Sequence, residues 1–130
     1  MQTTAGFGLQ QIGQIAITVN DIDKAVTFYR DSLGMRFLFQ VPKLAFFDCG
    51  GVRLMLSLPE TPDFDHPGSV LYYKVPDIQE AFNALSARGV QFIDEPHLVA
   101  PMPDHDLWMT FFHDTSKNTL ALMSEVPRDA

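Results

Sequence analysis

The 130-residue chain has one cysteine, one tryptophan and only nine basic residues against sixteen acidic ones. Each shortage excludes something. Cys49 has no partner for an internal disulfide and no second thiolate for a Cys-pair zinc site, a usage compatible with a reducing cytoplasm. A formal charge of −7 repels a phosphate backbone, and no basic cluster offsets it, so nucleic acid is not an expected partner. No run approaches the ~18 apolar residues that would cross a bilayer. The start, MQTTAGFGLQ, lacks the basic and apolar blocks of a secretory signal, so the expected location is cytoplasmic, with no membrane partner. A Gly-x-Ser-x-Gly elbow and a glycine-rich phosphate loop are also missing, which removes two common kinds of catalytic site.

What is present suits a globular fold. Hydrophobic residues make up 46% of the chain and aromatics 12%, enough for one core in a single domain spanning 1–130. An internal repeat decides the rest. GQIAITVNDIDKAVTFYRDSLGM, from Gly13, and SVLYYKVPDIQEAFNALSARGV, from Ser69, share one plan. Each has a strand ending in Val-x-Asp, an amphipathic helix and a closing glycine, Gly34 or Gly89. Asp21 and Asp77 are the expected N-caps, with Glu80 completing a capping-box pattern. Ile22, Val26, Tyr29 and Leu33 share one helix face, and so do Ile78, Ala81, Phe82 and Leu85. Three short β-rich runs follow each helix: MRFLFQV, LAFFDCG and VRLMLSL, then VQFIDEP, LWMTFFHD and NTLALMS. The expected fold is therefore α+β, with a first βαβββ module at 11–60, a Pro-rich linker at 61–68 and a second module at 69–126. The first ten residues read as a loose arm.

Strand parity assigns the faces. Ile15, Ile17 and Val19, with Leu71, Tyr73 and Val75, are expected beneath the helices. The opposite parity carries Gln14, Ala16, Thr18, Arg53, Met55, Val70, Tyr72, Lys74, Ala121 and Met123. Because an unpaired buried charge is costly, that mixed face is expected to be a concave, partly wet surface, unless Arg53 and Lys74 simply reach solvent at strand ends. Together the modules would form a curved eight-stranded mixed-sheet cleft for a small molecule. Trp108 either stacks on that ligand or joins the core. A further cluster, EPHLVAPMPDHDLWMTFFHD, could bring His97 near His105 or Asp104 across a short loop, as an acid/base pair or an alternative metal site.

The segments IAITVNDIDKAVTFYRDSLGM and DTSKNTLALM resemble the vicinal oxygen chelate superfamily, which includes glyoxalase I, bleomycin-resistance proteins and extradiol dioxygenases. The second segment is similar to the family's Asp-Pro-x-Gly-Asn-x-x-Glu-Leu hairpin. The resemblance implies paired βαβββ modules, a homodimer and a divalent metal held from the first and fourth strands of each module. Carried over, those metal positions are Gln14, Met55, Val70 and Ala121, three of which offer no good donor.

The expected function is therefore small-molecule binding or sequestration in the cleft, without the usual metal or any other cofactor. The ligand-binding candidates are Gln14, Thr18, Arg53, Met55, Tyr72, Lys74, Trp108 and Ala121. The alternative is a glyoxalase-like lyase or isomerase, with a relocated metal at His97, Asp104 and His105 or a metal-free base at His97 or His105.

Overall fold

The computed structural model describes residues 8–59 and 69–128. The expected linker at 61–68 and most of the N-terminal arm lie outside the described residues. The first module runs β1 (Gln14–Thr18), α1 (Ile22–Thr27), β2 (Arg36–Val41), β3 (Leu44–Cys49) and β4 (Val52–Ser57). The second runs β5 (Leu71–Lys74), α2 (Ile78–Ala87), β6 (His97–Pro101), β7 (His105–His113) and β8 (Thr119–Pro127). This is the expected α+β arrangement of two βαβββ modules. The eight strands fall into two four-stranded sheets, ordered β1-β4-β3-β2 and β5-β8-β7-β6.

Local chemistry sets the helix limits. The Asp21 carboxylate accepts the Lys24 N–H at 3.1 Å, and Asp77 accepts the Glu80 N–H at 3.0 Å, so each aspartate satisfies a donor that the first helical turn leaves free. α1 widens into a π-helical turn over Phe28–Ser32, and Gly34 and Gly89 then take φ of 73° and 91°, the left-handed geometry that ends a helix.

One expected strand is displaced. The run after α2, Val90–Pro96, forms only an isolated bridge between Phe92 and Phe112, and the paired strand begins at His97. The cause is Asp94. Its Oδ1 accepts the Thr110 hydroxyl at 2.8 Å and the Phe111 N–H at 2.9 Å, taking a main-chain donor that a neighbouring strand would have used. Pro96 has no N–H to offer the ladder.

Helix-facing side chains make one apolar cluster drawn from both modules. It includes Ile17, Val26, Tyr29, Phe47 and Leu56 from the first, and Ile78, Phe112, Leu120 and Leu122 from the second. Polar contacts fasten the modules on that same side. Asp114, buried in the turn before β8, accepts the N–H groups of Ser116 and Asn118 at 2.9 Å each. It also accepts the Asn118 side-chain amide at 2.9 Å and the Tyr29 hydroxyl, from the other module, at 2.8 Å. The Asn118 amide also donates to the Thr18 carbonyl at 2.9 Å, and the Asn20 N–H donates to the Ser116 hydroxyl at 3.0 Å. Burial, reinforced by the adjacent Asp114, pushes the Tyr29 hydroxyl well above the ordinary tyrosine range, so it remains a neutral donor.

Within this turn Lys117 has φ of 66°, where an L side chain is strained by roughly 1 kcal/mol. Two outcomes are expected in urea denaturation. Asp114→Ala, which strips acceptors from four donors, should cost about 3 kcal/mol or more. Lys117→Gly should raise the midpoint, with a net gain of about 0.5 kcal/mol once glycine's greater unfolded freedom is subtracted.

Candidate functional site

The faces turned away from the helices carry exposed side chains, Gln14 and Arg53 on the first sheet and Tyr72 and Lys74 on the second. Parallel pairing of β1 with β4 sets Gln14 beside Arg53 and Ala16 beside Met55. Antiparallel pairing carries the second row on through Phe46 to Phe39, whose rings stack at 4.6 Å between centroids. Gln14 donates its amide to the Met55 sulfur at 3.8 Å. Arg53 lies over the Phe46 ring at 6.0 Å, and among the described residues no carboxylate comes within ion-pair distance of it.

The second sheet presents a more structured face. Tyr72, Ala121 and Phe111 stand side by side across β5, β8 and β7, and Lys74, Met123, Met109 and His97 form the adjoining row. Tyr72 meets Phe111 edge to face at 6.0 Å. Ala121, between them, is fully buried while Tyr72 remains 47% exposed. Beyond this apolar floor lies a polar chain. Lys74 Nζ pairs with Glu125 Oε1 at 2.7 Å, His105 Nε2 stands 3.7 Å from Glu125 Oε2, and His105 Nδ1 meets Asp104 Oδ1 at 2.6 Å. Parity explains the grouping: Glu125 is two residues beyond Met123, and His105 is on the face of Leu107, Met109 and Phe111.

The sequence-derived candidates separate accordingly. Gln14, Thr18, Arg53 and Met55 share the outward face of the first sheet, and Tyr72, Lys74 and Ala121 that of the second; Gln14, Arg53, Tyr72 and Lys74 are exposed there, and the expected cleft is not among the cavities that the described residues line. Trp108 does not belong with them. It pairs with Ser124 on the opposite parity, packs against the core and borders a depression of about 400 Å³ with Pro76, Ile78 and Pro96.

The loop also fails to unite His97 with His105 or Asp104. His97 is opposite Met109 and bonds the Glu95 carbonyl at 2.8 Å, whereas His105 is opposite Pro127. The two imidazoles therefore occupy different ends of the β6–β7 ladder, because β6 starts at His97 and turns back only after Pro101. Sequence reasoning missed Glu125, Met109 and Phe111; extending the parity of β7 and β8 past Met123 and Leu107 would have found them.

The family model described as Glyoxalase/Bleomycin resistance protein/Dioxygenase superfamily matches residues 11–122. The chain belongs to the glyoxalase/bleomycin resistance protein/dioxygenase superfamily. Solved structures agree on the fold. A lactoylglutathione lyase from Agrobacterium tumefaciens superposes with a TM-score of 0.75 at 21% identity, covering 90% of this chain and 95% of its own. A superfamily member from Sphaerobacter thermophilus DSM 20745 gives 0.73 at 28% identity, covering 90% and 98%. A glyoxalase/bleomycin resistance protein/dioxygenase from Nocardioides gives 0.73 at 20% identity, covering 95% and 88%. Comparison with curated protein sequences returns no match.

The metal positions implied by the superfamily resemblance do not fit a divalent ion here. Gln14 already donates to a thioether, Met55 supplies that thioether, Val70 is aliphatic, and Ala121 is sealed beneath two aromatic rings. Oxygen- or nitrogen-seeking ions find one amide in this set. Among the described residues no cluster of three or more His, Cys, Asp or Glu is placed to hold a metal. The same residues contain no helix long and apolar enough to cross a membrane.

The Lys74 hydrogen bond and charge hold the Glu125 carboxyl below its ordinary range, and the His105 hydrogen bond does the same for Asp104. A carboxyl whose folded pKa is depressed keeps its partner above the ordinary carboxylate range and loses it as pH falls through the folded value. Carboxyl-carbon NMR should therefore place the Glu125 midpoint below that of a free glutamate. Lys74→Met should move it upward.

Proposed function

We propose that this protein binds a small amphipathic molecule on the outward faces of its sheets without the superfamily's usual metal. The observation that carries the reading is the second sheet. There an apolar floor of Tyr72, Met109, Phe111 and Met123 runs directly into the Lys74–Glu125–His105 chain, the mix of apolar wall and few polar anchors typical of ligand sites. Arg53 supplies a cation with no carboxylate partner among the described residues, whereas Lys74 is neutralised by Glu125. An anionic group on the ligand therefore suits the first sheet, despite the chain's net charge of −7.

A second copy of the chain would close these surfaces. Phe39 and Tyr72 are 49% and 47% exposed on the two outward faces, and a homodimer that sets one copy's first sheet against the other's second would bury them. A cytoplasmic setting accords with the lone Cys49.

One observation favours a second reading, catalysis resembling that named for the Agrobacterium tumefaciens lyase but without its metal positions. Asp104 meets His105 Nδ1 at 2.6 Å, and Nε2 stands 3.7 Å from Glu125 Oε2 on the outward face of the second sheet, an imidazole held between carboxylates as a positioned acid or base would be.

Three measurements on the full chain test the binding reading. Light scattering should give the mass of a dimer. Thermal shift should show stabilisation by aromatic carboxylates, with Arg53→Met weakening that binding about tenfold, the effect of losing a charge-assisted contact of roughly 1.4 kcal/mol. Elemental analysis of as-purified protein should find no stoichiometric transition metal; near-stoichiometric zinc, nickel, iron or manganese that disappears in His105→Ala would overturn the metal-free reading.

A further inference from the structure

One carboxylate on the second sheet faces two bases. Glu125, on β8, meets Lys74 Nζ of β5 through Oε1 at 2.7 Å and stands opposite His105 Nε2 of β7 through Oε2 at 3.7 Å. Three neighbouring strands are thus joined on the outward face, and Asp104 closes the far end, 2.6 Å from His105 Nδ1. Arg128 donates to the His105 carbonyl at 3.0 Å, but its charge is already paired with Asp106 at 3.1 Å. At this end β6 sets only Ala100 and Pro101 against β7. The two bases differ in reach. The Lys74 side chain is 64% exposed and that of His105 only 19%, so a ligand can meet the ammonium while the imidazole stays between its carboxylates.

A single proton changes the balance. While His105 is neutral, one cation stands among two carboxylates; once it is protonated, cations and carboxylates alternate along the chain and match in number. Histidine is the side chain that changes charge between about pH 5 and 8. Both carboxylates stay ionised through that range, since Lys74 holds Glu125, and His105 holds Asp104, below ordinary carboxylate values. Among the described residues no group of three His, Cys, Asp or Glu is placed to hold a metal, so the cation this chain is built to gain is a proton.

We infer that His105 is a proton-operated switch for anion binding on the second sheet. Its imidazolium takes a share of Glu125, so the Lys74 ammonium is no longer fully neutralised and can meet a ligand's carboxylate beside Met123 and Tyr72. In acid the second sheet therefore takes an aromatic carboxylate. Near neutral pH and above, the Lys74–Glu125 pair is closed, and such an anion is left to Arg53 on the first sheet. The regulation rests on the binding reading above, but the switch itself operates in the free protein.

Methyl NMR on the full chain tests this, with benzoate and its neutral analogue benzamide as probes. At the Met109 and Met123 methyls benzoate should bind several-fold more tightly at about pH 5.5 than at about pH 8, while benzamide should bind equally at both. His105→Gln, neutral throughout, should remove the gain, and so should Lys74→Met. A gain that survives His105→Gln belongs to His97 or His113, on the same face, and would overturn the inference. Carboxyl-carbon NMR without ligand separates the switch from the binding reading. Glu125 should show a second inflection that coincides with the titration of His105 and is absent from His105→Gln. If neither probe reaches these methyls, the binding reading fails for this sheet and the Glu125 inflection still decides the switch; a Glu125 resonance indifferent to His105 overturns it.

Discussion

Asp114 is the point on which the two modules turn. One buried carboxylate accepts from two main-chain N–H groups, one amide and one phenol, and the phenol belongs to the other module. Its four acceptor positions match four donors. Because Asn118 and Ser116, both held by Asp114, reach Thr18 and Asn20, the turn before β8 docks against the junction of β1 and α1. The helix sides of both sheets are thereby brought into one core. The opposite faces are left outward as a direct consequence. A left-handed Lys117 is tolerated there because the surrounding hydrogen bonds over-determine the turn.

The outward faces show what stands at the positions where the superfamily resemblance implies a metal. Ala121 occupies a position where a carboxylate would need an ion or a donor, but it is packed between Tyr72 and Phe111. An acid at that position would be buried against aromatic rings with nothing to neutralise it. Methyl-sized Ala121 permits the edge-to-face contact instead, turning the centre of the second sheet into an apolar floor. Ionisable groups stand around it, in Lys74, Glu125, His105, His97 and His113, where water can reach them.

The repeat, the helix caps and the alternation of β1, β4, β5 and β8 were legible because each depends on neighbours within a few residues. Asp21, Asp77, Gly34 and Gly89 all act locally. The β6 error had a long-range cause: Asp94 bonds Thr110 and Phe111, and no period in the sequence reports such a pairing. Trp108 illustrates a different limit. Its aromatic character was visible, but only the ladder to Ser124 decides which side it faces. Glu125 was within reach of the parity rule and was missed because the strand was taken to end near Met123, whereas β8 continues to Pro127.

Strand alternation also ties the outward faces to the core. Tyr72 and Tyr73 are adjacent on β5, as are Ala121 and Leu122 on β8, and in each pair one side chain faces outward and the other the helix side. The two surfaces thus share a single layer of backbone with no intervening packing. Any change in strand position on the helix side must displace Tyr72 and Ala121 on the other, because a pleated strand cannot move one set of side chains without the other.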